Sequence, residues 1–487
     1  MDPPPPEPPT IVAIAPSRVA ASLERVEVSG PSPRDTAGIP WSSLARTTRT
    51  PGSWRVTGTW SSEAGESLLV PTCAGRGTVV VDDVLRPAPN AGPFVVPLGP
   101  GRHTLRMTVK VSAYEKRIAC SAPPTFGRTV ASARSSTGVA EGTPTPDDAK
   151  DGAVGGTVAN GAGRGRWMSL AVPTASSAKG GARAVAYVPA SHDVRAACAV
   201  LVGLHPWNGS PWTYAAYEEL LVAADARDVC LLFPDGLGNS LYTAAAEDAV
   251  LAALDAFGRS VAVDSSRVSI WGASMGGAGA TTIGFHHPDR FARITSLFGD
   301  SKYDMTTYVK GILGDDAGAR RVNALDVADN VRHVPVHLVH GEDDRVSPIV
   351  QSSMLADALR SRGYAVTFDR VADAGHDGAL VARTVRGIVD EAARARAPKF
   401  PTRVTYRSVR LSDTSVYGVT FVRRGPGDAF VDVEAIGGSV RVHGASNVAR
   451  ILLGPGALGL PDGAYASPGD VDVEGSKTTI RVERTPR

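Results

Sequence analysis

Cysteine is scarce in this chain. Four among 487 residues are too few for a disulfide scaffold, and none has zinc-site spacing. An excess of one charge is also missing: 51 Lys and Arg face 49 acidic residues, and no block of like charges occurs. That balance excludes the basic surface of a nucleic-acid or anionic-membrane binder. No apolar run is long enough to span a bilayer. The N-terminus, MDPPPPEPPT, lacks the basic start and apolar stretch of a secretory signal. Such a proline-rich start is similar to the spacer behind a removed export signal, so the expected location is secreted or periplasmic.

What is present is globular and rich in loops: 43% hydrophobic and 21% charged residues, with 52 Gly and 36 Pro. The length implies about three domains. Residues 1–127 carry short alternating segments between Gly and Pro, such as SWRVTGTW, GTVVVDD and HTLRMTVKVSAYE. Period-two patterning with frequent turns predicts an N-terminal β-sandwich. Residues 128–165 have few large apolar residues and read as a linker. From 166 to 398, apolar runs (CAVLVGLHP, VCLLFPDG, RVSIWGAS, VPVHLVHGEDD) alternate with amphipathic segments. Strands buried on both faces and separated by helices predict an α/β domain with a mostly parallel sheet. Residues 399–487 return to strand patterning and form a C-terminal β-rich module. Cys73 and Cys120 lie at the ends of N-terminal strands and could form one disulfide; Cys198 and Cys230 sit in apolar runs and read as buried free thiols.

The segment VSIWGASMGG carries the chemistry. A serine hydroxyl is a weak nucleophile unless a base takes its proton and the backbone holds it clear. Gly272-Ala273-Ser274-Met275-Gly276 fits G-x-S-x-G between a strand and a helix. There the serine sits on a strained turn, and small neighbours let backbone pass close. This pattern places an acid after a later strand and a histidine after the last one. VPVHLVHGEDDRVSP supplies Asp343 and Asp344, and VTFDRVADAGHDG supplies His376. His333, His337 and His340 lie on or before the acid's strand and read as packing or loop residues, while His286 and His287 follow the nucleophile's helix. GDDAGAR and EDDR contain paired acids, but no histidine at ligand spacing accompanies them, so neither a metal nor a cofactor is expected. GLGNS lacks the rest of a dinucleotide-binding motif.

Through FPDGLGNSLYTAAAEDAV, VDSSRVSIWGASMGG, HHPDRFARITSLFGD and VPVHLVHGEDDRVSP, residues 166–398 resemble the α/β-hydrolase superfamily. The likeness is to serine esterases of the feruloyl-esterase and polyhydroxybutyrate-depolymerase type, and more distantly to prolyl-oligopeptidase-like hydrolases. The resemblance implies a triad of Ser274, His376 and Asp344, since relatives read H-G-x-x-D-x-x-V-P, with Asp343 as the fallback. It also implies an oxyanion hole from the Met275 N–H and a donor after an early strand. Where relatives read H-G, this chain has His205-Pro206, and proline has no N–H, so the second donor becomes Trp207. Trp207, Trp212, Tyr303 and Tyr308 are candidate substrate-binding residues, with Met305 beside them. The N-terminal module looks like the jelly-roll modules of carbohydrate-active enzymes. The expected substrate is a feruloyl or acetyl ester from plant polymers, polysaccharide-linked or polymeric. A polyester, a prolyl peptide, or a binding protein without activity are the alternatives.

Overall fold

In the computed structural model, the described residues are 182–461 and 469–485, apart from 190, 194, 210, 212, 306–312, 314 and 315. Before residue 182 they are 12–16, 26–30, 37–39, 50–62, 66–70, 76–86, 94–97, 100–111, 118, 125–131 and 165–172. Cys73, Cys120, Trp212, Tyr308 and nearly all of the expected linker lie outside them. The chain divides into two compact units, the first comprising 1–173, 183–193 and 210–228 and the second the remainder. The stretch 166–228, assigned whole to the α/β domain by its pattern, is therefore shared between the units. Among the described residues no helix is long and apolar enough to cross a membrane.

The first unit is built on antiparallel strands. Gly52–Ser62 pairs along its full length with Gly101–Val111, from Gly52 opposite Val111 to Ser62 opposite Gly101. Alternation shows which face is inward: Leu105, Met107, Val109 and Val111 are buried, and the residues between them are not. Trp54 fills the same core, and its ring N–H donates to Thr50 O at 2.7 Å. In another run of strands, Val12–Pro16 pairs with Thr125–Ala131 and with Arg166–Val172.

The second unit holds the predicted parallel sheet. Its strands are β1 (Cys198–Leu204), β2 (Val229–Pro234), β3 (Val263–Ala273), β4 (Arg293–Leu297), β5 (Val336–Gly341) and β6 (Val366–Val371), in the spatial order β6-β5-β4-β3-β1-β2. The neighbours are parallel. Every residue of β1 and β2 is buried, which explains why CAVLVGL and VCLLFP are apolar without alternation. Each large aliphatic side chain placed there contributes about 1.5–3 kcal/mol. The helices are α1 (Ala245–Gly258), α2 (Met275–His286), α3 (Val350–Ser361) and α4 (Gly378–Arg394). Asp377 caps α4, its carboxylate accepting from the N–H groups of Ala379 and Leu380 at 2.9 and 3.0 Å. One expectation is corrected. Cys198 and Cys230, read as free thiols, form a disulfide across neighbouring strands, with Cα atoms 6.2 Å apart. An apolar run looks the same whether its cysteine is bonded or free, and only the β1–β2 pairing brings the two together.

The C-terminal residues belong to this second unit. A three-stranded sheet (Arg403–Ser408, Ala429–Ile436, Ser439–Ser446) and a five-stranded one share a core containing Tyr406, Phe421, Val431, Ile451 and Val482. This module seals the far end of α2. The Tyr406 hydroxyl donates to His286 O at 2.8 Å, and the Tyr417 hydroxyl to Pro288 O at 2.9 Å. Beneath them the carboxylate of Glu247 accepts from His287 Nε2 and Arg410 Nη1, both at 2.7 Å. Asp413 holds His286 Nδ1 at 2.9 Å. Burial would raise the Glu247 carboxyl, but His287 and Arg410 outweigh it and hold it low. Its stabilisation is therefore present above the unfolded carboxyl's range and is lost as pH falls through the depressed value.

Removing one partner of such a buried pair leaves the other charge uncompensated, at a cost of about 3–5 kcal/mol. Arg410→Met is accordingly expected to lower Tm clearly in a thermal melt. A Tm within one degree of wild type would show that the network contributes nothing.

Candidate active site

Ser274 stands at the junction of β3 and α2 with φ 55° and ψ −122°, a conformation that lifts its side chain off the strand. The flanking glycines are there for space. A Cβ on Gly276 would lie 1.8 Å from Leu204 O, and one on Gly272 would lie 2.3 Å from Gly276 O. Both are backbone atoms and cannot yield, so no larger residue fits either position.

The loops after β5 and β6 bring the acid and the histidine to this turn. His376 Nε2 lies 2.7 Å from Ser274 Oγ, and His376 Nδ1 lies 2.7 Å from Asp344 Oδ2. Asp344 Oδ1 accepts from the N–H groups of Val346 and Ser347 at 2.8 and 3.0 Å. Burial alone would raise this carboxyl. Hydrogen bonds from His340 and His376, with the His376 charge and the Val346 N–H, hold it well below the usual carboxylate range. An ionised carboxylate only accepts, so Nδ1 carries the hydrogen and Nε2 is left to accept from the serine hydroxyl. Asp343, the fallback acid, is exposed, and its backbone N–H donates to Ala374 O at 3.0 Å.

The other candidates separate cleanly. Tyr303 is 1% exposed and walls a small cavity beside Ser274, together with Leu241, Met275, Phe298, Asp300 and Ser347. Met305 is 48% exposed. Trp207 is 39% exposed, on a loop after β1 that its neighbours pin: the His205 ring nitrogens lie 2.9 Å from Pro206 O and 2.7 Å from Asp235 O. The Asn208 N–H donates to Asn239 Oδ1 at 2.6 Å and Asn239 Nδ2 donates to Asn208 Oδ1 at 2.8 Å, which ties this loop to the one after β2. His333 faces Arg403 O, and His337 is shared by Glu391 and Asp369.

For three residues the sequence does not show the part they play. His340 is fully buried, with Nε2 2.8 Å from Ser347 O and 3.4 Å from Asp344 Oδ2 and Nδ1 2.8 Å from the Ser352 hydroxyl, so it braces the acid's loop. Phe298 has φ 40°, and its ring centroid lies 4.6 Å from that of His376. Asp300 is 5% exposed and accepts from the Ser347 hydroxyl at 2.5 Å. No local pattern marks any of them; LFGD after an apolar run reads as a strand end.

Residues 238–395 match the prolyl oligopeptidase family of peptidases. No curated protein matches the chain. Among solved structures, an S-formylglutathione hydrolase from Agrobacterium tumefaciens is 19% identical, with 49% of this chain and 97% of that one covered, at TM-score 0.44. An acylaminoacyl peptidase from Pyrococcus horikoshii is 16% identical over 47% of this chain and 41% of that one, at TM-score 0.42. A ferulic acid esterase is 16% identical over 47% of this chain and 98% of that one, at TM-score 0.40. Sheet order, the strained turn at Ser274 and the family match agree on an α/β-hydrolase fold of the serine-hydrolase kind for this part of the chain.

Proposed function

We propose that the protein hydrolyses carboxylic esters of short acyl groups through an acyl-enzyme. The observation that carries this reading is the hydrogen-bonded series from Ser274 Oγ through His376 to Asp344. Ser274 attacks the carbonyl carbon while His376 Nε2 takes its proton. Asp344 keeps the imidazole in the required tautomer and stabilises its cation. The tetrahedral oxyanion is received by the Met275 N–H and by the Trp207 N–H of the pinned loop. Collapse expels the alcohol with the proton from His376. Water then enters by the same route and releases the acid.

Acyl size is argued from the cavity. The cavity beside Ser274 is narrow, walled by Leu241, Met275, Phe298 and Tyr303, which favours a short acyl group such as acetyl on this side of Ser274. The exposed Trp207 offers a face for a sugar or aromatic alcohol. A plant-polymer acetyl ester is thus the first substrate class. The match to a peptidase family supports cleavage of peptides as the second reading. Export fits both, since the Cys198–Cys230 disulfide is of the kind that persists in oxidising compartments.

Comparing kcat/KM across 4-nitrophenyl acetate, butyrate and laurate, methyl ferulate and a prolyl anilide tests the assignment. Acetate is expected to be best, with at least tenfold loss at the long-chain ester. Laurate in first place would indicate a lipase, and the anilide in first place a peptidase.

A further inference from the structure

An ester has two sides, and the narrow cavity beside Ser274 takes only one of them. The other side, the alcohol, must lie among the loops that leave the C-terminal ends of the parallel strands. Those loops are apolar where they meet solvent. Nine large apolar side chains are exposed among the described residues, and five of them lie there. Trp207 follows β1, Leu237 follows β2 and Met305 follows β4, while Val346 and Val350 follow β5. Leu237 and Val350 are each 40% exposed, and Val346 is 54% exposed. Neighbouring strands are about 4.8 Å apart, so β2 and β5 each lie roughly 10 Å from β3, on opposite sides of the strand that carries Ser274. Single exposed apolar residues are ordinary, but five at one end of a sheet, around a nucleophile, form a rim.

Leu237 is the least favourable member of this rim. The segment Gly236-Leu237-Gly238 turns through three left-handed residues, with φ 57°, 57° and 76°. Glycine takes that conformation freely, whereas a bulky side chain does not. The turn is fixed from several directions. A Cβ on Gly236 would lie 2.1 Å from the Tyr242 ring, the Ser240 hydroxyl donates to Gly236 O, and the Gly238 N–H donates to Asp235 O at 3.3 Å. The bonds between Asn208 and Asn239 tie it to the loop of Trp207. Leucine is thus unfavourable here twice, by its backbone conformation and by its exposure, and strain of this kind persists where function requires it. The charges on these loops are matched. Lys302 pairs with Asp304 at 3.4 Å and Glu342 with Arg370 at 3.0 Å, and Asp343 and Arg345 are of opposite sign.

Resting on the hydrolase reading above, we infer that this rim holds the alcohol part of the substrate, that this alcohol is apolar (alkyl or aryl) rather than a sugar, and that Leu237 determines that specificity. An apolar group laid across Leu237 and its neighbours removes both surfaces from water, which a sugar hydroxyl does not do.

Ethyl, butyl and hexyl acetate and a mono-O-acetyl methyl xyloside share one acyl group, so acetate release below each ester's solubility limit compares the alcohols alone. The expected result is kcat/KM rising about two- to fourfold for each added CH2, through KM, with the xyloside no better than ethyl acetate. Asparagine adopts the left-handed conformation readily. In Leu237→Asn the ratio of hexyl to ethyl ester therefore falls about fivefold or more, while Tm stays at or above that of the wild type. A leucine that only shaped the turn would, when replaced, lower both esters alike and lower Tm. Should that variant not fold, Val346→Thr carries the test, with the ratio falling about twofold or more. A flat series or the xyloside in first place in the wild type, or an unchanged ratio in the folded variant, overturns the inference. So does a gain with chain length seen only above the solubility limit, which would make the rim a surface for aggregated ester. Fluorophosphonate labelling of Ser274 separates the two levels. A labelled wild type with a flat series overturns this inference alone, whereas an unlabelled and inactive wild type overturns the hydrolase reading and this inference with it.

Discussion

Ser274→Ala is expected to remove ester hydrolysis, with a loss of about four to six orders of magnitude in kcat. The loss is so large because the hydroxyl supplies the atom that becomes bonded to the acyl group; His376, left alone 2.7 Å from where Oγ was, can only activate water. The fold should survive. Ser274 already adopts φ 55°, so the strain of a left-handed non-glycine residue is present in the wild type and is carried equally by alanine. The neighbours that determine the turn, Gly272 and Gly276, are untouched. Rates on 4-nitrophenyl acetate and covalent labelling by a fluorophosphonate, read beside a thermal melt, check this. Activity within tenfold of wild type, with the fold intact, would remove Ser274 from the mechanism.

Asp344→Asn should be nearly as damaging, at about four orders of magnitude in kcat, while Asp343→Asn should cost less than about tenfold. The two acids are adjacent in sequence but not in environment. The Asp344 side chain is fully buried, with Oδ1 fixed by two backbone N–H groups and Oδ2 aimed at His376. An asparagine amide turned toward Nδ1 would donate rather than accept. That reverses the tautomer and leaves Nε2 unable to take the serine proton. Asp343 is exposed, and its contact with the site is through backbone. Because the Asp344 carboxyl is held well below its usual range, it stays ionised as pH falls, and an acidic limb in kcat/KM does not arise from its protonation. Single-turnover rates of the two variants decide the ranking. The reverse order would transfer the role to Asp343.

Much of this site could be read from local chemistry. Glycines around a serine between a strand and a helix need no tertiary knowledge, because close backbone passage excludes a Cβ whatever the remainder of the chain does. The parallel sheet was legible for a similar reason: strands covered on both faces, such as CAVLVGL and VCLLFP, must be apolar throughout. Chain order then limited the acid and base to the ends of β5 and β6. Tyr303 was legible as a wall residue only because its segment was longer than a connection needs.

Other features had no local signature. His340 reads as packing, since a histidine on a strand looks alike whether it braces a carboxylate or fills space. Cys198 and Cys230 read as free thiols in their apolar runs, and only the pairing of β1 with β2 brings them together. Asp300, at the end of an apolar run, reads as an ordinary strand terminus, and becomes a cavity wall only because Gly299 lies against the start of α2. Sequence by itself determined the periodicities, the strained turn and the chain order of the serine, the acid and the histidine, all of which follow from what neighbouring residues permit. Which side chains face one another across 40 or 100 residues was decided by strand order and by where the C-terminal module seals α2, because such contacts depend on the packing of whole elements and leave no mark in any one segment.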